Sequence, residues 1–218
     1  MKTKVLYSAT EFVLYKLKKF LEQMKKGDLM LARFRKMSEN LNRPTELTQS
    51  TGSIEFGAKI CLVAPHVPAT DPPVEDRKGV MLGGRISSND IKYSQELEDG
   101  CSVVGIPHLE PAERSTFVIT SADYCDRNGE QLKYNQEFLL ALSSSVARQK
   151  PLYLRYDPNP IPGLCGQYPL YLSKHPVSNT RWRILPKQQA NITRFEQEGQ
   201  SVQETPNNIW QIYVPIAK

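Results

Sequence analysis

Thr116-Phe117-Val118-Ile119-Thr120-Ser121 and, after a polar interval that holds Asn128-Gly129, Glu137-Phe138-Leu139-Leu140-Ala141-Leu142 form the stretch on which the fold turns. Both runs are rich in β-branched and large apolar residues and are bounded by turn residues, so each predicts a strand. Asn-Gly readily takes the positive φ angles of a tight turn, so the pair between two apolar runs predicts a hairpin.

Outward from this hairpin the same pattern recurs. Further strands are predicted at Ser53 to Phe56, Lys59 to Val63, Gly79 to Leu82, Ser102 to Val104, Gln131 to Tyr134, Leu152 to Arg155, Leu170 to Ser173, Arg181 to Leu185, Ile192 to Phe195 and Ile209 to Val214. Pro-rich loops are expected at Pro65 to Pro73 and Pro158 to Pro169. Many short strands argue for a sandwich or a closed barrel. Pro151-Leu152-Tyr153-Leu154 nearly repeats as Pro169-Leu170-Tyr171-Leu172, and the strands around Trp182 and Trp210 continue the theme. Internal repetition favours a trefoil of hairpins over a sandwich.

The first 48 residues read differently. Ser8-Ala9-Thr10-Glu11 matches a capping box, and Val13, Leu17, Phe20, Leu21 and Met24 follow at helical spacing. Gly27 can take a left-handed cap, Asp28 can cap a second helix from Leu29 to about Glu39, and Pro44 ends it. Met30, Phe34, Met37 and Leu41 are its apolar stripe. A two-helix arm is therefore expected over residues 1–48, ahead of a β domain over 49–218.

That arm carries the charge. It holds 11 Lys and Arg against 5 acids, a net +6, whereas the other 170 residues hold 17 bases and 18 acids. So localised a basic face implies an extended acidic partner. On an amphipathic helix such bases are usually only the solvated face, but Glu22 is the sole acid among Lys16, Lys18, Lys19, Lys25 and Lys26, and none lies between Asp28 and Glu39. An apolar stripe with basic flanks suits an anionic membrane or an acidic protein surface.

Chemistry is sparse. No apolar run reaches the roughly 18 residues a membrane helix needs, and no secretory core opens the chain, so an intracellular protein is expected. Cys61, Cys101, Cys125 and Cys165 lack zinc-type spacing and read as reduced thiols. His66, His108 and His175 sit in loop-like sequence without a metal-ligand partner, and no catalytic nucleophile signature accompanies them. Gly79 to Gly84 lacks the Lys and hydroxyl of a phosphate loop, and setting Gly129 at position six of a calcium loop puts Tyr124 and Asn135 where carboxylates are required. The Asn191-Ile192-Thr193 sequon reads as unused. Trp182 between Arg181 and Arg183, and Tyr153 and Tyr156 beside Arg155, could stack on bases, but their alternation suits strand faces and core packing. No enzyme, cofactor or metal is expected.

Phe20 to Arg33, Arg35-Lys36, Asn40 to Leu47, Phe56 to Val63, Thr116 to Ile119 with Gly129 to Phe138, Leu170 to Ser173 and Asn208-Ile209-Trp210 together resemble, in order, the cilia- and flagella-associated protein 161 family, as a divergent or shortened relative. The resemblance implies a β-trefoil of the MIR type behind the helical arm. It also implies a structural microtubule inner protein in the A-tubule lumen of axonemal doublets, in cilia or flagella, with alpha/beta-tubulin and other microtubule inner proteins as partners and neither nucleic acid nor membrane. Tubulin is acidic, so Lys18, Lys19, Lys25, Arg33, Arg35 and Lys36 are the candidate contacts. Carbohydrate binding by a trefoil and nucleic-acid binding are the alternatives.

Overall fold

A computed structural model describes residues 9–49, 52–68, 78–86, 96–107, 110–162, 168–185 and 211–213. Ser8 of the capping box, His108, Cys165, the Asn191 sequon and the strand expected from Ile192 to Phe195 lie outside the described residues.

The β elements are β1 (Lys59–Cys61), β2 (Val63–Pro68), β3 (Lys78–Gly84), β4 (Ser102–Ile106), β5 (Thr116–Ser121), β6 (Phe138–Leu142), β7 (Tyr153–Tyr156), β8 (Leu170–Ser173), β9 (Arg183–Leu185) and β10 (Gln211–Tyr213). Helix α1 spans Ala9–Leu41, and a short α2 spans Ser143–Ala147. Eight strands form one antiparallel sheet in the order β1-β5-β6-β7-β8-β4-β3-β2, and among the described residues β9 pairs with β10 in a second, two-stranded sheet. The two ends of that order are neighbours in sequence, because Leu62 alone separates β1 from β2. Leu82 N donates to Leu62 O at 2.8 Å, so one bent segment runs from β5 across to β3 and nearly closes the sheet into a barrel. Closure removes exposed sheet edges, which would otherwise pair with other chains.

Strand β6 is the centre of the core. All five of its residues are buried, and Phe138, Leu140 and Leu142 join Phe117 and Ile119 of β5, Val103 of β4, Leu154 of β7, Leu172 of β8 and Ile184 of β9 in one apolar cluster. A strand buried on both faces reads as a continuous apolar run, and Phe-Leu-Leu-Ala-Leu is one. The expected β5–β6 pairing is present, with Val118 opposite Ala141. Its connection is longer than a two-residue turn, however. Gly129, at φ +83°, donates its N–H to Phe56 O, and Leu132 N donates to Ile54 O. The runs expected as strands at Ser53 to Phe56 and Gln131 to Tyr134 thus meet each other, through a Glu55–Gln131 bridge, and bury Ile54, Phe56 and Leu132.

The two-helix arm is corrected to one helix of 33 residues, with Gly27 near its middle. Glycine costs a helix interior about 1 kcal/mol relative to alanine. Breaking the helix there would forfeit several backbone bonds between strong helix formers, Glu22 to Lys26 on one side and Leu29 to Ala32 on the other, so continuity wins. Two other differences have local causes. Helix α2 lacks an apolar period and is held by a hydroxyl: Ser145 Oγ donates to Leu142 O at 2.6 Å and accepts from Leu152 N at 2.8 Å. Strand β2 carries Pro65 and Pro68 where a loop was expected. It tolerates them because its pairing with β3 shifts register between Ala64 and Pro68, a bulge that needs no proline donor.

Arg181-Trp182-Arg183 also resolves as structure. Trp182 points into the core, where its indole donates to Leu154 O at 3.0 Å and its backbone exchanges two hydrogen bonds with Phe138. The flanking guanidiniums grip one carboxylate, Arg181 to Glu137 Oε2 at 2.7 Å and Arg183 to Glu137 Oε1 at 2.6 Å. Hydrogen bonds from Arg183, then Arg181, hold the Glu137 carboxyl below its ordinary value of 4.5. A depressed folded-state pKa contributes stability that is complete above the unfolded value and is lost as pH falls through the folded one. Glu137→Gln should therefore cost about 1 kcal/mol at neutral pH, since Arg181 is partly solvated. Urea titrations should show the gap between variant and parent starting to shrink as pH falls below about 4.5 and closing only at lower pH, as the folded parent's carboxylate is itself protonated. A gap that persists unchanged in acid would mean the carboxylate's charge is not its source.

Candidate interaction surface on the N-terminal helix

Helix α1 is anchored at one end. Met37 and Leu41 belong to the core cluster, fully or almost fully buried, and Phe34 packs against it. The helix exit is tied down by backbone: Arg114 N donates to Leu41 O, Glu113 N to Arg43 O and Thr45 N to Pro111 O, each at 3.1 Å. The Leu41 carbonyl is one of the four a helix C-terminus leaves unpaired, so the segment before β5 caps α1. Arg114 Nε adds a hydrogen bond to Asn42 Oδ1 at 2.7 Å. Beyond the cap, Thr48 and Lys59 exchange hydrogen bonds, laying the chain along β1.

Residues 17–33 stand clear of the described part of the barrel. Every residue from 17 to 33 is exposed, apolar ones included. At about 1.5 Å per residue those residues extend α1 by roughly 25 Å past its anchored turns. Lys18, Lys19, Lys25, Arg33, Arg35 and Lys36 are all exposed, and among the described residues no ion pair engages any of them. At about 100° per residue, Lys18, Lys19, Lys25, Arg33 and Lys36 fall within an arc of roughly 120°. Lys26 lies in the same arc, with Glu22 among them. Arg35 does not join them: it lies on another side of the helix, in line with Leu17.

The apolar side of α1 is also two-fold, a division that reading it as two separate helices concealed. Phe34, Met37 and Leu41 make the docked stripe. Leu17, Phe20, Leu21, Met24 and Leu31 make a second, rotated by roughly 110° at about 100° per residue and nearly opposite the basic arc. These five are 49–57% exposed, so no described part of the chain covers them. The sequence spacing contained this rotation, but it becomes visible only once Gly27 is known to continue the helix.

A model of the cilia- and flagella-associated protein 161-like domain matches residues 33–161, from the anchored turns of α1 through β7. The chain belongs to this family. The cilia- and flagella-associated protein 161 of Bos taurus is 34% identical over 148 residues, 65% of this chain and 44% of the bovine protein. That of Mus musculus is 30% identical over 146 residues, 65% of this chain and 48% of the mouse protein. The chain thus matches less than half the length of these relatives. The family match takes in Phe34, Met37, Leu41, Arg114 and β6, the parts that seat the helix, while Lys18, Lys19 and Lys25 precede it. Among the described residues no helix is long and apolar enough to cross a membrane, and no group of three His, Cys, Asp or Glu is placed to hold a metal ion.

Proposed function

We propose that this chain is a non-enzymatic structural protein of cilia or flagella, a microtubule inner protein bound to the luminal wall of axonemal doublet A-tubules beside other inner proteins, where it supports doublet stability. Family membership supports the ciliary setting. The observation that carries the binding mode is a helix clamped in the barrel core at Met37 and Leu41 that presents Lys18, Lys19, Lys25, Arg33 and Lys36 with no acidic partner of their own among the described residues. Such an arm meets an acidic lattice of tubulin without paying to reorder the barrel, and repetition along the lattice multiplies modest contacts.

The fold carries the reading only as far as a mainly β, nearly closed eight-stranded sheet behind an N-terminal helix. A trefoil of the MIR type would carry three equivalent repeats in turn round its barrel, whereas here β8 lies beside β4 and β5 returns to β1. The proposal accordingly rests on the barrel and its anchored helix.

Reversing Lys18, Lys19, Lys25, Arg33, Arg35 and Lys36 to Glu tests the mode. All six side chains are exposed, so the thermal midpoint should hold. In ciliated cells the tagged variant should fail to enter axonemes, or should wash out at a salt concentration the parent resists. Incorporation and salt resistance equal to the parent's would make α1 a packing element.

A further inference from the structure

We infer that Asn128-Gly129 is a chemical ageing site: its asparagine closes to a succinimide only when the turn lifts off Phe56, and the isoaspartyl product then keeps the turn unlatched. This chemistry is independent of what α1 binds.

An asparagine before a glycine is open to the reaction because no side chain on the glycine keeps its nitrogen from the asparagine's amide carbon. The Gly129 nitrogen loses its proton to water or hydroxide and bonds to Asn128 Cγ. The side-chain nitrogen takes up a proton and leaves as ammonia. Water then opens the cyclic imide at one of its two carbonyls. One opening gives aspartate; the other gives isoaspartate, whose main chain runs through the former side chain. Water is the only co-reactant.

The folded chain occupies both reacting groups. Gly129 N–H is donated to Phe56 O, Phe56 N–H to Glu130 O and Glu130 N–H to Arg127 O, each at 2.9 Å, so the peptide plane that must turn toward Cγ is fixed from both sides. The Asn128 side chain lies over Gly57, where an added β-carbon would stand 2.7 Å from Oδ1 and 3.2 Å from Cγ. Arg127 pins the same turn, its guanidinium 5.5 Å from the Phe56 ring centroid and paired with Glu130 Oε2 at 2.9 Å. Asn128 is nevertheless exposed, so water already reaches it. The gate is the opening of the turn, and only the open fraction reacts.

Isoaspartate lengthens the backbone by one atom between residue 128 and the Gly129 nitrogen. Gly129 and Glu130 then shift against Phe56 and cannot keep both hydrogen bonds to it. The pairing that they begin continues through Leu132 N to Ile54 O at 2.8 Å and seats Ile54, Phe56 and Leu132 in the core. Aspartate keeps the backbone unchanged and adds only a charge at an exposed position.

The whole chain is aged in mildly alkaline buffer. Peptide mapping follows conversion of amide to acid at Asn128, and hydrogen exchange by NMR follows opening at the Gly129 amide. Conversion should run roughly tenfold slower or more than in the chain unfolded in guanidinium chloride. Gly57→Ala, strained at φ +87° and pressed against Asn128 Oδ1, should raise conversion and exchange by the same factor. Guanidinium below the unfolding transition should do the same to the parent, whether or not that variant folds. The isoaspartyl form, separated by chromatography, should melt about 5 °C or more below the parent, whereas Asn128→Asp should stay within about 1 °C of it. Equal conversion in folded and unfolded chains would overturn the gate, as would conversion and exchange that respond independently. An isoaspartyl form that melts with Asn128→Asp would overturn the unlatching, and no conversion in the unfolded chain would remove the site.

Discussion

Met37→Asp should lift the anchored turns of α1 off the barrel while the strands stay paired. Met37 is fully buried, and an ionised carboxylate there loses hydration with no described cation in the cluster to replace it, a cost of several kcal/mol. Two responses are open. The carboxylate can stay buried and destabilise the whole domain, or residues 34–41 can leave and expose Phe34, Met37 and Leu41. The second gives up about 1.5–3 kcal/mol for each fully buried apolar side chain, and less for the partly exposed Phe34. It also lets the new charge reach water, so it is the cheaper. Hydrogen exchange distinguishes them. The Arg114 amide, bonded to Leu41 O, and the amides of the last turns of α1 should lose protection, while those of β5 and β6 keep theirs. Met37→Leu, a near volume-conserving change, should leave both sets protected. Uniform loss of protection in Met37→Asp would show helix and barrel to be one cooperative unit. If α1 binds the axoneme by projecting from a fixed base, the same variant should incorporate poorly although every lysine is intact.

Phe138→Ala should have the largest effect on stability. Phe138 is fully buried at the start of β6 and exchanges backbone hydrogen bonds with Trp182 in an antiparallel bridge. Truncating a core phenylalanine removes its transfer free energy and leaves a cavity, together about 3–5 kcal/mol. Against a total of about 5–15 kcal/mol for an ordinary domain, that is a large share. The thermal midpoint should fall by on the order of 10 °C. Tryptophan fluorescence reports the loss directly, because Trp182 lies in the same cluster. A fall of only one or two degrees would mean that the barrel collapses onto the vacated volume.

How much of this was legible follows from the range over which each residue's preference is decided. Thr116–Ser121 and Leu170–Ser173 are strands with the bounds their composition predicts, since turn residues limit them on both sides. Glu137 was expected inside β6 and stands just before it, where its carboxylate serves Arg181 and Arg183. Gly27-Asp28 misled because it carries local signals for both a stop and a start. The choice depended on the helix formers flanking it, which a capping motif does not weigh. Barrel closure at Leu62 left no local mark: both β1 and β2 pair with residues far along the chain. At the interaction surface, the exposure of the six bases was readable from residue type, whereas the departure of Arg35 from their arc required a continuous helix.

The bent segment at Leu62 has a consequence for time rather than shape. Lys59 pairs with Val118, so when β1 leaves the ribosome its partner has not yet been made. The neighbouring β2 can already zip onto β3, with Val63 against Met81, and β4 can follow. The pairings of β2, β3 and β4 thus need only residues up to Ile106, whereas β1 needs the hairpin of β5 and β6. Pairings so distant in sequence fold slowly, on the order of milliseconds to seconds. Until Val118 is made, the edge of β1 that the finished sheet covers has no partner, and an unpaired edge is the part of a sheet open to pairing with other chains.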